Sequence, residues 1–180
     1  LVVMLGSIYS IHRIVHADKV NKQVSEVTSV FGKLKRQYQM QSNTMGVSVN
    51  NLAPLGLWPK EQMTKTGENW TIHGVVKDST EYIFSNAAQI DSIPAHQGFI
   101  YNLHNMPQDM CAEVINSLEK NIFAIYVTPS EDIQLGEATP TGSVVKANED
   151  VSVKPDALEK ACRSNSGKLV TITLVNRLTN

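Results

Sequence analysis

Residues 20–38 read VNKQVSEVTSVFGKLKRQY. Apolar residues recur along it at steps of four, three, four, three and four, which is the spacing of a helix that buries one stripe. This packing face consists of Val20, Val24, Val27, Phe31, Leu34 and Tyr38. Polar side chains are assigned to the other faces, namely Lys19, Lys22, Gln23, Glu26, Ser29, Lys33 and Arg36. The stretch therefore predicts an amphipathic helix packed on the rest of the chain.

The helix is predicted to start at the beginning of the sequence, because residues 1–40 contain no proline. Residues 1–42 are assigned to the helix and residues 43–180 to a globular head. Forty helical residues reach about 60 Å, twice the roughly 30 Å width of a small domain, so part of the helix must protrude. Its apolar first half is the predicted assembly rod, represented by Val3, Leu5, Ile8 and Ile11. A protruding apolar helix needs a membrane or neighbouring subunits to cover it.

The remaining sequence predicts an α+β head. The predicted strands are residues 70–76, 81–84, 98–104, 122–127 and 168–177. Two short helices, 107–119 and 155–163, each begin with a proline. Residues 43–65 are predicted as a loop-rich connection, and residues 130–154 as an exposed loop. The predicted fold is a long protruding N-terminal helix packed on an antiparallel sheet, with a C-terminal disulfide-bounded region.

The sequence has two cysteines, Cys111 and Cys162, and their number alone is compatible with two interpretations. They are either one disulfide in an oxidising compartment or two inert core thiols in a reducing one. Each falls on the apolar side of one of the short helices. Together with a membrane-type N-terminal helix, these positions favour a disulfide in a head outside the cytoplasm.

Charge and motifs exclude several classes of function. The net charge of −1 provides no basic field for a phosphate backbone, so nucleic acid is not expected as a partner. His12 and His16 have metal-ligand spacing but no third ligand, and we expect no metal or other cofactor. A thiol at Cys111 pairing with His96 or His104 would need a polar setting, whereas Cys111 lies on an apolar face. No catalytic site is therefore predicted.

The order of these features resembles the type IV pilins, in particular the type IVb group of bundle-forming, toxin-coregulated and conjugative thin-pilus subunits. The rod ending in Val24-Ser25-Glu26-Val27 carries part of the resemblance. The remaining segments are Leu55-Gly56-Leu57-Trp58-Pro59, residues 67–74, Cys111-Ala112-Glu113-Val114 and Leu158-Glu159-Lys160-Ala161-Cys162. The family's mature chain begins with an N-methylated residue and has Glu at its fifth position, where this sequence has Leu5. Counting back from Ser25, about a dozen residues are expected to precede Leu1.

The resemblance implies a structural subunit and not an enzyme. Such subunits are anchored in the inner membrane with the head facing the periplasm. Assembly machinery then extracts them from the membrane and incorporates them into an extracellular pilus (fimbrium). The implied partners are other copies of the chain, that machinery, and host-cell receptors or other pili, and the implied roles are adhesion, aggregation or conjugation. The region between the cysteines would form the exposed contacts. Its candidate contact loop comprises Ser130, Glu131, Asp132, Glu149 and Asp150.

Two alternatives remain at the level of sequence. One is a membrane-tethered periplasmic binding or enzyme domain, in which the helix is only an anchor. The other is a type II secretion pseudopilin, a class that often has a calcium site in place of the disulfide region. The sequence has no clustered Asp/Asn loop near its C-terminus, which argues against the second alternative.

Overall fold

A computed structural model describes residues 2–133, 140–163 and 169–179, and for residues 2–15 it describes the backbone only. The four described α-helices are α1 (Val2–Gln39), α2 (Val49–Leu52), α3 (Gln108–Leu118) and α4 (Pro155–Cys162). The described strands are β1 (Met63–Thr66), β2 (Asn69–His73), β3 (Thr80–Ser85), β4 (Gly98–Met106), β5 (Ala124–Pro129), β6 (Ser143–Lys146) and β7 (Val170–Arg177). Short 3-10 turns occupy Ala53–Leu55, Lys60–Gln62 and Glu119–Asn121.

The described strands form one seven-stranded sheet in the order β1-β2-β3-β4-β7-β5-β6. Every neighbouring pair is antiparallel. The C-terminal strand β7 lies between β4 and β5, and its β-branched sequence VTITLVNR suits a strand that is buried along its length. This architecture confirms the predicted α+β class, with a long N-terminal helix on an antiparallel sheet.

Helix α1 packs on the sheet through aromatic and aliphatic side chains. Phe31 contacts Tyr101 with ring centroids 5.5 Å apart, and Tyr38 contacts Phe99 at 5.9 Å. The buried positions of the helix are Val20, Gln23, Val27, Val30, Phe31, Leu34 and Tyr38, whereas Val24 is half-buried. The assignment of Gln23 to an outer face was therefore wrong. A period of 3.6 residues rotates the buried stripe, so Gln23 and Val30 also face the sheet.

Replacing Leu34 with Ala is expected to lower the free energy of unfolding by about 2–5 kcal/mol, because Leu34 is completely buried and its removal leaves a cavity. Chemical denaturation of the two proteins measures this difference. Met40→Ala is the matched control, since Met40 is 94% exposed just beyond α1 and should change stability by less than about 0.5 kcal/mol. Equal effects of the two substitutions would contradict the placement of Leu34 in the core.

The connection predicted as a loop, residues 43–65, contains regular structure that the sequence analysis missed. Ser48 caps α2 by accepting a hydrogen bond from the backbone N–H of Asn51 at 3.2 Å. Strand β1 pairs with β2 through a two-residue turn at Gly67, where φ is +62°. Because β1 is an edge strand with three of its four residues exposed, its sequence lacks the apolar alternation that identifies a strand.

The predicted exposed loop of residues 130–154 is interrupted by β6. Val145 and Lys146 are buried there, and β6 pairs with β5. The ammonium group of Lys146 donates to the carbonyl oxygens of Glu119 and Ile122, the latter at 2.8 Å. Burial lowers the pKa of Lys146, and these carbonyl oxygens compensate for the lost contact with water. The lysine thereby ties β6 to the segment that follows α3.

Candidate functional site

Helix α1 is 38 residues long, which corresponds to about 57 Å of helix. The predicted assembly rod, Val3, Leu5, Ile8 and Ile11, lies where the backbone is helical but the side chains are outside the described part of the structure. His16 is the first residue of α1 whose side chain the structure describes, and it contacts the head. The candidate functional surfaces are therefore the helix and the disulfide-bounded region that contacts it.

His16 joins α1 to α3. Its Nε2 atom lies 3.1 Å from Glu113 Oε1, and its Nδ1 atom lies 3.8 Å from Asp109 Oδ2. His16 was considered above only for its metal-ligand spacing with His12, whereas its side chain is only 22% exposed and contacts α3. When protonated, this imidazole pairs with both carboxylates and holds the helix against the disulfide-bounded region.

The predicted disulfide between Cys111 and Cys162 is present, with the two Cα atoms 5.7 Å apart. It joins the apolar side of α3 to that of α4, and both cysteines are buried. The bond closes a segment with a sequence separation of 51, and this segment contains β5 and β6. The disulfide-bounded region is therefore built into the central sheet and is not a separate appendage.

The histidines considered for catalysis have other partners. His96 Nδ1 lies 3.1 Å from the hydroxyl oxygen of Ser85, and His104 Nδ1 lies 2.8 Å from that of Thr171. Burial lowers the pKa of His104, which favours its neutral form. Because Cys111 is in the disulfide, it has no thiolate for these imidazoles to activate.

The structure divides the candidate contact loop into two patches. Glu131 and Asp132 are exposed where β5 ends, whereas Glu149 and Asp150 are exposed beyond the end of β6. Because β5 and β6 are antiparallel, these patches lie at opposite ends of the hairpin, about 20 Å apart at the rise of a six-residue strand. The interpretation of one continuous contact loop was therefore wrong, since the strand-forming residues of β6 separate its two halves.

Ser130 and Glu149 of the predicted loop contact other parts of the head. Ser130 is half-buried, and its hydroxyl lies 3.0 Å from that of Thr171 and accepts from the backbone N–H of Asn105 at 3.2 Å. Glu149 Oε1 lies 3.1 Å from Nη2 of Arg177. Ser130 therefore stabilises the end of β5 and is a poor candidate for an external contact.

A buried polar cluster between α1 and the sheet escaped the sequence analysis. The hydroxyl of Tyr101 donates to Glu81 Oε1 and accepts from Trp58 Nε1, the latter at 3.0 Å. Gln23 and Glu26 of α1 also contact Glu81. Burial first, and the neighbouring Glu26 second, raise the pKa of Glu81 well above its ordinary value. The burial of Glu81 could have been predicted from the alternation of β3, which places Glu81 on the same face as buried Ile83.

Removing residues 1–14 is expected to leave a folded monomer, because about 57 Å of helix exceeds the roughly 30 Å width of a small domain and the described core uses α1 only from Val20 onward. Thermal unfolding should stay cooperative, and analytical ultracentrifugation should report a single copy. A truncated protein without a cooperative transition would contradict the proposed division between rod and head.

Searches against protein-family models and curated proteins find no match to this chain. Among solved structures, the chain is similar to TcpA, a type IV pilin from Vibrio cholerae El Tor biotype. The TM-score is 0.60 at 16% sequence identity, covering 88% of this chain and 99% of TcpA. The type IVb pilin from Salmonella typhi aligns with a TM-score of 0.56 at 10% identity, over 88% of this chain and 97% of that pilin. The long helix, the antiparallel sheet and their order along the chain are thus those of the type IV pilin fold.

Proposed function

We propose that this chain is a structural subunit of a type IVb pilus, which polymerises through its N-terminal helix into an extracellular fibre. The observation that carries the proposal is the likeness in fold to two pilins, which covers 88% of this chain and nearly the whole length of each pilin. An elongated helix with an apolar first half is suited to bundling with other copies, since bundling removes that surface from water. The proposed role is mechanical and not enzymatic.

The proposed assembly begins with a subunit anchored in the inner membrane with its head in the periplasm. Within the described part of the chain, no helix combines the length and the apolar character of a membrane-spanning segment. Assembly machinery would then move the subunit into the fibre. There the helices would pack together and the heads would cover the outside.

The outer contacts are proposed to be made by the disulfide-bounded region. Its two acidic patches, Glu131 with Asp132 and Glu149 with Asp150, are exposed on the head. Because the two acidic patches lie at opposite ends of one hairpin, they would contact different neighbours in a fibre. Such neighbours include adjacent subunits, host-cell receptors and other pili, and the corresponding roles are adhesion, aggregation or conjugation.

The proposal is tested by shearing filaments from cells that carry the gene and from cells in which it is deleted. Electron microscopy should show fibres only in the first culture, and mass spectrometry of the sheared fraction should identify this chain as a component of the fibres. Unchanged fibres in the deletion strain that never contain the chain would overturn the proposal. In that case a membrane-tethered domain would be the better description.

A further inference from the structure

Glu81 places a carboxyl group in the interior between α1 and the sheet. Its side chain is on β3 and the residue is 2% exposed. One oxygen, Oε1, accepts from the hydroxyl of Tyr101. The other, Oε2, is inaccessible to solvent and has Gln23 of α1 beside it, but it accepts no hydrogen bond of normal geometry from the described residues. A buried carboxylate oxygen without a donor costs free energy, so its protonation state matters.

Glu26 brings a second carboxyl group to the same place from α1. Its Oε2 accepts from Gln62 Nε2 at 2.8 Å, while its Oε1 is buried without a donor among the described groups. Glu26 and Glu81 are within hydrogen-bonding reach of each other. In each carboxyl group, therefore, one oxygen accepts a hydrogen bond from a neighbouring side chain. The second oxygen can take part in a hydrogen bond with the other carboxyl group.

Two ionised carboxylates in this position would repel each other strongly, because the interior screens charge poorly. One proton between them removes the repulsion and supplies the missing donor. A calcium ion is less suited to neutralise the two carboxylates, since it takes six to eight oxygen ligands. Among the described residues, the nearby oxygen atoms without partners are Glu26 Oε1, Glu81 Oε2 and Gln23 Oε1. Within the described ranges, no group of three or more His, Cys, Asp or Glu is placed to hold a metal.

We propose that Glu81 of β3 holds a proton that it donates to Glu26 of α1, and that this hydrogen bond is a pH-sensitive link between the helix and the sheet. The link goes beyond the proposed assembly function, because it concerns how the helix is attached to its own head. When the proton is present, a hydrogen bond joins α1 to β3. When it is lost, the same two groups repel each other across the helix–sheet interface.

The surrounding groups do not supply a positive charge to replace the proton. From β4, Tyr101 faces Glu81, and burial together with Glu81 raises the pKa of Tyr101, so it stays neutral. Gln23, Gln62 and Trp58 are uncharged. The lysines of α1 on this side, Lys19, Lys22 and Lys33, line an open groove together with Asp18 and Glu26, and Lys22 pairs with Asp18 at 3.1 Å.

The direction of the pH effect follows from the raised pKa of Glu81. In the unfolded chain a glutamate loses its proton near its ordinary pKa of 4.5, whereas Glu81 in the folded chain keeps its proton to higher pH. The stabilisation is thus complete below the pKa of a glutamate in the unfolded chain, and it is lost as pH rises through the pKa of Glu81 in the folded chain. One retained proton makes the unfolding equilibrium constant rise by up to about tenfold per pH unit over this window.

Glu81→Gln in the full chain tests the link. A glutamine can accept from Tyr101 through its oxygen and donate to Glu26 Oε1 through its nitrogen, so it imitates the protonated acid. Denaturant unfolding from about pH 5 to pH 8 should show a steep loss of stability in the wild type and a flatter profile in the variant. Glu61→Gln is the matched control, because Glu61 is exposed in the turn Lys60–Gln62 and its variant should keep the wild-type slope.

Two further measurements separate the alternatives. Infrared spectroscopy over the same pH range should detect a carboxyl group that keeps its proton to higher pH than the exposed carboxyl groups, and its signal should be absent from Glu81→Gln. Calcium or EDTA should leave the wild-type profile unchanged. Identical pH slopes in the wild type and Glu81→Gln, no carboxyl group in the wild type that keeps its proton to higher pH, or a profile that shifts with calcium would each overturn the proposal.

Discussion

Fibres are expected to disappear when Val3 or Ile8 is replaced with lysine, while the head still folds. Both residues belong to the apolar first half of α1, through which we propose that the subunits assemble. A lysine there has to enter a bilayer and then the core of a helical fibre. Placing it at the centre of a membrane helix alone costs roughly 2.5–3.5 kcal/mol. Electron microscopy of cells that produce each variant measures the effect.

Two controls make this experiment specific. Gln41→Lys adds the same charge at an exposed position beyond the end of α1 and should leave fibre numbers unchanged. His104→Ala removes an imidazole to which we assign no chemistry, so it should also leave assembly intact. Wild-type numbers of fibres with lysine at Val3 would contradict assembly through the helix. A turnover abolished by the histidine variant would instead indicate a tethered enzyme.

Removing the disulfide is expected to lower the free energy of unfolding by about 4 kcal/mol, on the chain-entropy model for the 51-residue separation of Cys111 and Cys162. The double replacement Cys111→Ala with Cys162→Ala should show this loss in denaturant unfolding. The bond joins α3 to α4, so the segment with β5 and β6 should lose protection from hydrogen exchange first.

Thiol labelling provides the control for this variant. After unfolding, a thiol reagent should not label the unreduced wild-type protein, whereas it should label both cysteines of the reduced protein. Labelling of both cysteines without reduction would contradict the disulfide. Unchanged stability in the double variant would show that the bond does not constrain the segment.

The sequence predicted the main elements because their patterns follow directly from burial. The long run without proline and the apolar stripe from Val20 to Tyr38 indicated α1, and the proline-led patterns indicated α3 and α4. The five predicted strands correspond to β2, β3, β4, β5 and β7. Strands β1 and β6 were missed, since both lie at edges of the sheet, where few side chains are buried and alternation is weak.

The polar interior was harder to predict. Gln23 and Glu26 look like ordinary surface residues of an amphipathic helix, and only the packing of α1 on β3 shows that they meet Glu81. That contact depends on the rotation of the helix against the sheet, which a pattern of apolar residues does not fix. The split of the contact loop has a related cause, because it depends on the pairing of β6 with β5.

Assembly through α1 can be seen in a helical reconstruction of purified fibres by electron cryomicroscopy. We expect the α1 helices of successive subunits to bundle along the fibre axis, with the disulfide-bounded regions on the outside. Because the heads are connected to these helices, each subunit should fit the map as one long helix with its head attached. A fibre containing this chain whose core lacks the α1 helices would contradict the account.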